Sequence, residues 1–363
     1  MTNITKNADS KDVIKQQETE NIFVGIDLGT FQSAIATSTG KLMNIASVVG
    51  FPKDLVSQKL LRKSMLIGDD CFNYRMSLDL FYPLEKGVID PHRNQKDSAK
   101  QKEAINGFLN YLISLINKQE NQKIYAVVGA PARATADDKQ AVTYAFDGLV
   151  DGVLVVSEPF LVAYGQGIYG FAVIVDIGAG TINICRMHGS IPEEEDQQTL
   201  YKGGNHIDKV FYDSFKTRVL NARVTLHLLR KIKEQHASVS KKPKKASVVS
   251  LISGKSVQYD VTNELHEACK TIVPDIIKTL SELISEFDPE YQQTLRENIM
   301  LAGCGSRIEG LSSVIEHDLS DLGKIKVNLV DDPVYACAIG GLKLARDLPV
   351  DEWKRIQETG ALA

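Results

Sequence analysis

Ile22-Phe-Val-Gly-Ile-Asp27-Leu-Gly29-Thr30 and Ala172-Val-Ile-Val-Asp176-Ile-Gly178-Ala-Gly180-Thr181 make nearly the same statement twice in one chain. Each runs β-branched and apolar residues into an Asp, then through a Gly-containing turn with a Thr into a second apolar stretch, 33–37 or 182–187. Apolar runs bounded by Gly read as buried strands opening a hairpin. The Asp stands where the first strand ends. Glycines beside it let backbone N–H groups approach a phosphate with no side chain in the way. Two copies, each placing a carboxylate beside a Gly-Thr turn, predict two related lobes facing each other across a cleft.

The composition allows this. With 363 residues, 43% of them hydrophobic, the chain can bury two substantial cores. A formal net charge of -4 with both signs interspersed argues against a nucleic-acid partner. Cys71, Cys185, Cys269, Cys304 and Cys337 are dispersed and form no CxxC or Cys/His cluster. They fit reduced thiols in a cytoplasm, not a disulfide framework or a zinc site. The histidines show no metal spacing either. No apolar run approaches the roughly 20 residues of a transmembrane segment. Residues 1–20 lack the apolar core of a secretory signal and are expected to be a disordered polar tail.

Lobe I is assigned to 21–157 plus 330–363, with a small inserted subdomain at about 48–70. That insert carries the basic-apolar piece Lys59-Leu60-Leu61-Arg62-Lys63, expected to be a subdomain strand or a subunit contact, with a membrane surface as the alternative. Ile105, Phe108, Leu109, Leu112, Ile113 and Ile116 recur at helical spacing over 97–119. A strand at 124–128, a helix over 136–146 and a strand at 153–156 follow. Ser157-Glu158-Pro159 then suits a helix start, because Pro is tolerated in the first turn.

Lobe II is assigned to 158–329, with a small subdomain at about 205–261. Helices are expected at 205–220 and 225–236. A solvated lysine loop at 241–245 precedes a hairpin, 247–252 and 256–261, around Ser253-Gly254-Lys255. Ile272, Ile276, Leu280, Leu283 and Phe287 form one helical stripe, and Pro274 inside it predicts a kink or a break. Strands alternating with helices through both halves indicate α/β lobes.

A third glycine cluster, Leu301-Ala-Gly303-Cys304-Gly305-Ser306-Arg307-Ile-Glu-Gly310-Leu311, runs a strand into small residues and a helix start. With these three motifs in this order the chain resembles the actin-like ATPase superfamily of actins, heat-shock chaperone ATPase domains and sugar kinases. Asp27-Leu-Gly29-Thr30 matches its first phosphate motif, 176–181 the second and 301–311 the adenosine motif. Gly203-Gly204-Asn205-His206-Ile207-Asp208 looks like the Gly-Gly turn lining the nucleotide, and Gly340-Gly341 like the second connecting helix. Lys233 and Glu234 fall where bacterial actins contact adenine and ribose. Within the superfamily the chain is most similar to the magnetosome-associated bacterial actins. That likeness rests on segments outside the shared loops, among them Ser47 to Asp54, Gly129-Ala-Pro-Ala-Arg-Ala134 and Val155-Val-Ser-Glu-Pro-Phe160. Cell-shape actins resemble the chain at the shared loops.

The resemblance implies an actin-like fold, two related α/β lobes, each with a smaller inserted subdomain, around a nucleotide cleft. It implies ATP and Mg2+ as cofactors. Backbone N–H groups of Gly29, Thr30 and Phe31, and of Gly178, Ala179, Gly180 and Thr181, would cradle the phosphates. Neither loop contains Lys, so Mg2+ must carry much of the counter-charge, with Asp27 and Asp176 as its carboxylate partners through water. Phosphoryl transfer needs positioning and charge neutralisation above all. Glu158 is expected to orient the attacking water, with Asp176 as second catalytic group and Asp90, in Gly87-Val-Ile-Asp90, within reach of the cleft. Three departures stand out: Asn183 in place of a common acid, Cys304 where a third Gly is usual, and Arg230 near the place of a ribose-binding Glu.

The implied function is an ATP-hydrolysing cytoplasmic filament protein. It would assemble with itself and position magnetosomes through magnetosome-associated adaptor proteins. The rival within the fold is a small-molecule kinase, against which no separate substrate motif stands out. A heat-shock chaperone would need a substrate-binding domain, and a membrane-tethered actin an amphipathic anchor.

Overall fold

Asp27 and Asp176 hold the same register position in two hairpins built alike. The computed structural model describes residues 21–90, 97–220, 222–252 and 255–359. The expected 1–20 tail and the Ser253-Gly254 turn lie outside the described residues. Two compact units account for the chain. One holds the residues up to Ala130, 134–156 and those from Cys337 on; the other holds 131–133 and Ser157–Ala336.

In the first unit, β1 (Asn21–Asp27) pairs antiparallel with β2 (Gln32–Thr37), placing Asp27 opposite Ala34. β3 (Leu42–Ala46) continues the meander beyond β2. A small second sheet follows, in which β4 (Val49–Pro52) pairs antiparallel with both β5 (Leu66–Ile67) and β6 (Leu78–Phe81). This sheet runs on to Phe81, past the 48–70 stretch. The piece 59–63 is not a strand here. Its first residues close the helix Leu55–Leu61, begun by Asp54, whose carboxylate accepts the Ser57 N–H at 2.8 Å, and ended by Arg62 at φ 52°. An Asp N-cap before Leu, Gln and Lys favours helix over extended chain.

The short pair β7 (Leu84–Glu85) and β8 (Val88–Ile89) leads on to β9 (Lys123–Ala130), which lies parallel to β1. β10 (Gly152–Ser157) completes the order β10-β9-β1-β2-β3. The helix Ser98–Ser114, capped by Asp97, buries Ile105, Phe108, Leu109 and Leu112 against Ile22, Val24 and Ile26 of β1 in one core. Burial of each such side chain stabilises by about 1.5–3 kcal/mol. The helix Ala336–Asp347 comes to the backbone of β1 itself. A Cβ on Gly25 would lie 1.9 Å from the Ala338 carbonyl oxygen, and one on Gly341 would lie 3.0 Å from the Gly25 Cα.

The second unit repeats the plan. β11 (Ala172–Ile177) and β12 (Ile182–Met187) form the hairpin with Asp176 opposite Asn183, and β13 (Gln197–Leu200) extends it. β14 (Ser247–Ile252) and β15 (Lys255–Asp260) make a separate antiparallel pair. β16 (Ile299–Ala302) lies parallel to β11, and β17 (Val327–Leu329) parallel to β16, giving the order β13-β12-β11-β16-β17. Every residue of β11 and β12 is buried, as expected of a central hairpin covered on both faces. Phe211 and Phe215 of the helix Gly204–Arg218 and Ile276, Leu280 and Leu283 of the helix Val273–Ser285 share the core with Val173, Val175 and Ile184. The stripe around Pro274 is broken as its sequence predicts. One helix spans Thr262–Lys270 and the next begins at Val273, with Pro274 in its first turn.

Candidate functional site

Carbonyl groups explain how each Asp-Gly turn is set. In the first unit the Ser47 hydroxyl donates to the Gly29 carbonyl at 2.7 Å and the Ser47 N–H to the Phe31 carbonyl at 2.8 Å. A trans peptide holds C=O and N–H on opposite sides. Tying those carbonyls to Ser47 therefore turns the N–H groups of Thr30 and Gln32 away from it. The Thr30 hydroxyl is fixed as well, accepting the Gly87 N–H at 3.0 Å. Phe31 stacks on Phe72 with ring centroids 5.9 Å apart. Asp27 is partly buried at the end of β1, and Asp90 is partly buried just after β8.

The second unit uses a different segment for the same purpose. The N–H of Gly204 donates to the Gly178 carbonyl at 3.0 Å and that of Asn205 to the Ala179 carbonyl at 2.8 Å. The N–H groups of Ala179 and Gly180 are thereby turned the other way. This docking requires a bare backbone, since a Cβ on Gly203 would lie 2.6 Å from the Gly178 carbonyl oxygen. Gly203-Gly204 is thus a brace for the 178–181 turn.

The third glycine cluster meets the same turn. Gly303, at φ +72°, lies where a Cβ would stand 2.4 Å from Asp176 Oδ1, and a Cβ on Gly305 would stand 2.1 Å from Ile177 Cγ2. Ser306 is buried and its hydroxyl donates to the Gly303 carbonyl at 2.7 Å, while Cys304 and Arg307 are exposed. Asp176, only 7% exposed, sits under this lid of glycines. Burial pushes its carboxyl up to about 7.

Glu158 opens the helix Glu158–Gly165 and is buried. Its Oε2 accepts from the Asn183 amide at 2.7 Å, and the same amide nitrogen donates to the buried Thr181 hydroxyl at 3.2 Å. Asn183 Oδ1 accepts from the Ala132 N–H at 3.0 Å and from the Thr199 hydroxyl at 2.9 Å. Asn183 thus joins Glu158, at the start of its helix, to Thr181 at the hairpin end that also carries Asp176.

Lys233 and Arg230 lie one layer back. Asp208, fully buried, is paired with Arg230 Nε at 2.6 Å and with Lys233 Nζ at 2.8 Å. Lys233 also donates to the Gly204 carbonyl at 2.9 Å, and Arg230 to Asn205 Oδ1 at 3.0 Å. Both cations fasten the start of the Gly204–Arg218 helix. Glu234 is exposed beside them, and partial desolvation raises its pKa against the pull of Lys233.

The sequence profile of the MreB/Mbl protein family matches residues 21–351. The chain belongs to the MreB/Mbl family of actin-like proteins. That match is wider than the shared loops at which cell-shape actins were expected to resemble it. The chain is 38% identical to the actin-like protein MamK of Paramagnetospirillum magneticum (strain AMB-1), over 94% of this chain and 96% of that one. The solved MamK double helical filament superposes with a TM-score of 0.86 at 38% identity, covering 91% of this chain and 100% of that one. A non-polymerising MamK mutant bound to AMPPNP matches with a TM-score of 0.68 at 38% identity, covering 90% of this chain and 99% of that one. The actin-like fold and the likeness to MamK are both borne out.

In this MreB/Mbl family member several site residues escaped sequence reading. Ser47, Arg133 and Asp208 lay inside segments noted for the resemblance, with no role of their own assigned to the residue. Asn183 was visible as a departure from an acid, which was the one available signal. Among the described residues no group of three or more His, Cys, Asp or Glu side chains could hold a metal by itself. The donor set fits Mg2+ carried on a nucleotide, where phosphates and water fill most positions.

Proposed function

We propose that this chain is a filament-forming bacterial actin that binds and hydrolyses Mg-ATP and assembles head-to-tail. The observation that carries this reading is the shared construction of the two Asp-Gly turns. Each has two carbonyls tied back by a second segment, Ser47 or Gly204-Asn205, so that backbone N–H groups are presented without a lysine. Such N–H arrays suit phosphate oxygens. The solved relatives, one a filament and one holding AMPPNP, support the same reading.

Mg2+, when bound, supplies the positive charge that the two loops lack. Asp27 and Asp176 are proposed to hold its water shell, which Asp176 would do in its carboxylate form. Glu158, fixed by Asn183, is proposed to orient the water that attacks the terminal phosphate. Asp27, Gly29, Thr30 and Phe31, with Ala179, Gly180 and Thr181, are assigned to the phosphates; Gly178, expected to join them, spends its own N–H on the Thr181 carbonyl at 2.9 Å and closes that turn. Gly203, Gly204 and Asn205 brace them. Gly303, Cys304, Gly305, Ser306 and Arg307, with Lys233 and Glu234, are assigned to the nucleoside side.

Head-to-tail contacts are heterologous and build open filaments when the rotation does not close. By the likeness to MamK, the filament is proposed to lie in the cytoplasm and to position magnetosomes through magnetosome-associated adaptor proteins. No helix among the described residues is long and apolar enough to cross a membrane.

Sedimentation and light scattering with Mg-ATP, alongside phosphate release, test the proposal. Wild type should pellet and release phosphate, and Glu158→Ala should form filaments that persist because hydrolysis is lost. Wild type that stays monomeric across salt and nucleotide conditions overturns the filament reading. ADP formation that then appears only with an added small-molecule acceptor, the phosphoryl group passing to that acceptor, would make the protein a kinase.

A further inference from the structure

We propose that Asn183 is a positioning residue for hydrolysis, with a side-chain polarity set by the 131–133 segment and handed on to Glu158; this rests on the assignment of Glu158 above. A side-chain amide offers two N–H donors and two acceptor positions. In Asn183, 1% exposed, all four are engaged: Ala132 N–H and Thr199 hydroxyl on Oδ1, Glu158 Oε2 and Thr181 Oγ1 on Nδ2.

The four partners allow one orientation. A flipped amide would set N–H groups against the Ala132 N–H and leave its oxygen facing the Glu158 carboxylate. A buried donor or acceptor left unpaired forfeits its lost hydration with nothing in return, so the flip is shut out. The Thr199 hydroxyl is itself oriented, because its oxygen accepts the Arg133 N–H at 3.0 Å. Its proton therefore goes to Asn183. Arg133 is anchored in turn, its guanidinium donating to the Glu194 carbonyl at 2.9 Å and meeting Glu194 Oε1 at 2.6 Å. A directed chain of donors runs from Arg133 N–H through Thr199 and Asn183 to Glu158.

This accounts for an amide where the superfamily often has an acid. An acid at 183 would satisfy Ala132 and Thr199 equally well. It would present an acceptor to Glu158 at 2.7 Å, a spacing at which two carboxyl groups hold a proton between them. The amide instead gives Glu158 a donor and fixes how its carboxylate is turned. Asn183 reaches the reaction through Glu158 at 2.7 Å and, more weakly, through the Thr181 hydroxyl at 3.2 Å, so its loss is expected to move turnover more than nucleotide affinity.

The test measures phosphate release from pH 6 to 9, binding of a fluorescent ATP analogue with Mg2+, and pelleting, for wild type, Asn183→Asp and Thr199→Val. Asn183→Asp should bind nucleotide within about twofold of wild type, pellet normally and lose about tenfold in kcat at pH 7. The acid limb of its rate profile should move up by a pH unit or more. Thr199→Val keeps Asn183 but removes one of the two donors that orient it. It should lower kcat about threefold with KM unchanged. Unchanged profiles in both variants, with wild type hydrolysing, overturn the positioning role alone, as does a loss confined to KM. If wild type hydrolyses and Glu158→Ala does so equally well, the assignment of Glu158 falls first and the inference with it.

Discussion

Gly303 lies so close to Asp176 that a methyl group on its Cα would stand 2.4 Å from the carboxylate Oδ1 and 2.5 Å from the Ile177 carbonyl oxygen. Its φ of +72° is also in the left-handed region that side chains avoid. Gly303→Ala should therefore lower stability by roughly 2–4 kcal/mol, strain and displacement together. It should weaken nucleotide binding more than tenfold by moving Asp176. Thermal melting with and without Mg-ATP separates the two effects. A variant melting and binding like wild type would show that the Gly303 loop is not seated on Asp176.

Asp176 carries a pH dependence. Burial raises its carboxyl to about 7 from an ordinary 3.8. The nucleotide-free fold thus keeps a proton that the unfolded chain releases near pH 4. Stability from this group is present below about pH 4 and is lost as pH rises through 4 to 7. A cation beside the carboxylate favours the charged form, so Mg-ATP binding below pH 7 should release close to one proton. Calorimetry in two buffers of different ionisation enthalpy should show that release at pH 6 and none at pH 8.5. Asp176→Asn should abolish it.

Four of the five cysteines are buried and Cys304 is exposed. Burial raises the Cys71 thiol to about 12 and that of Cys269 to about 11, and pushes Cys185 up as well. Thiol titration of the native protein should find one fast group, and mass spectrometry should place it at Cys304. ATP should slow that reaction several-fold if the 303–307 loop meets the nucleoside. Unchanged labelling with saturating nucleotide would remove Cys304 from the site.

Asp208 is fully buried between Arg230 and Lys233. Asp208→Ala leaves two cations without their shared carboxylate, and removing one partner of a buried pair costs about 3–5 kcal/mol. Lys233→Met, which keeps the Arg230 pair, should cost less. It should loosen the Gly204 turn, seen as weaker nucleotide binding with a small change in melting. A large affinity loss with unchanged melting would show that Lys233 acts on the nucleoside directly, as assigned above, and not by way of the Gly204 turn.

Local order made much of this protein legible. The two Asp-Gly hairpins and the break at Pro274 depend on residues within a few positions of one another. The piece at 59–63 was harder, because a basic-apolar run suits either a strand or a helix and Asp54, just upstream, decides it.

By itself the sequence determined two related α/β halves, where each Asp-Gly turn falls, and which buried stripes form their cores. Strand alternation, helical spacing and glycine placement are properties of neighbouring residues, and they survive without a fold. Only the tertiary structure decided how those turns are held. Ser47 reaches Gly29 from 18 residues away, Asn183 reaches Glu158 from 25 and Ala132 from 51. Such bonds exist only once strands and helices have packed, because a buried donor finds its acceptor through space and not along the chain.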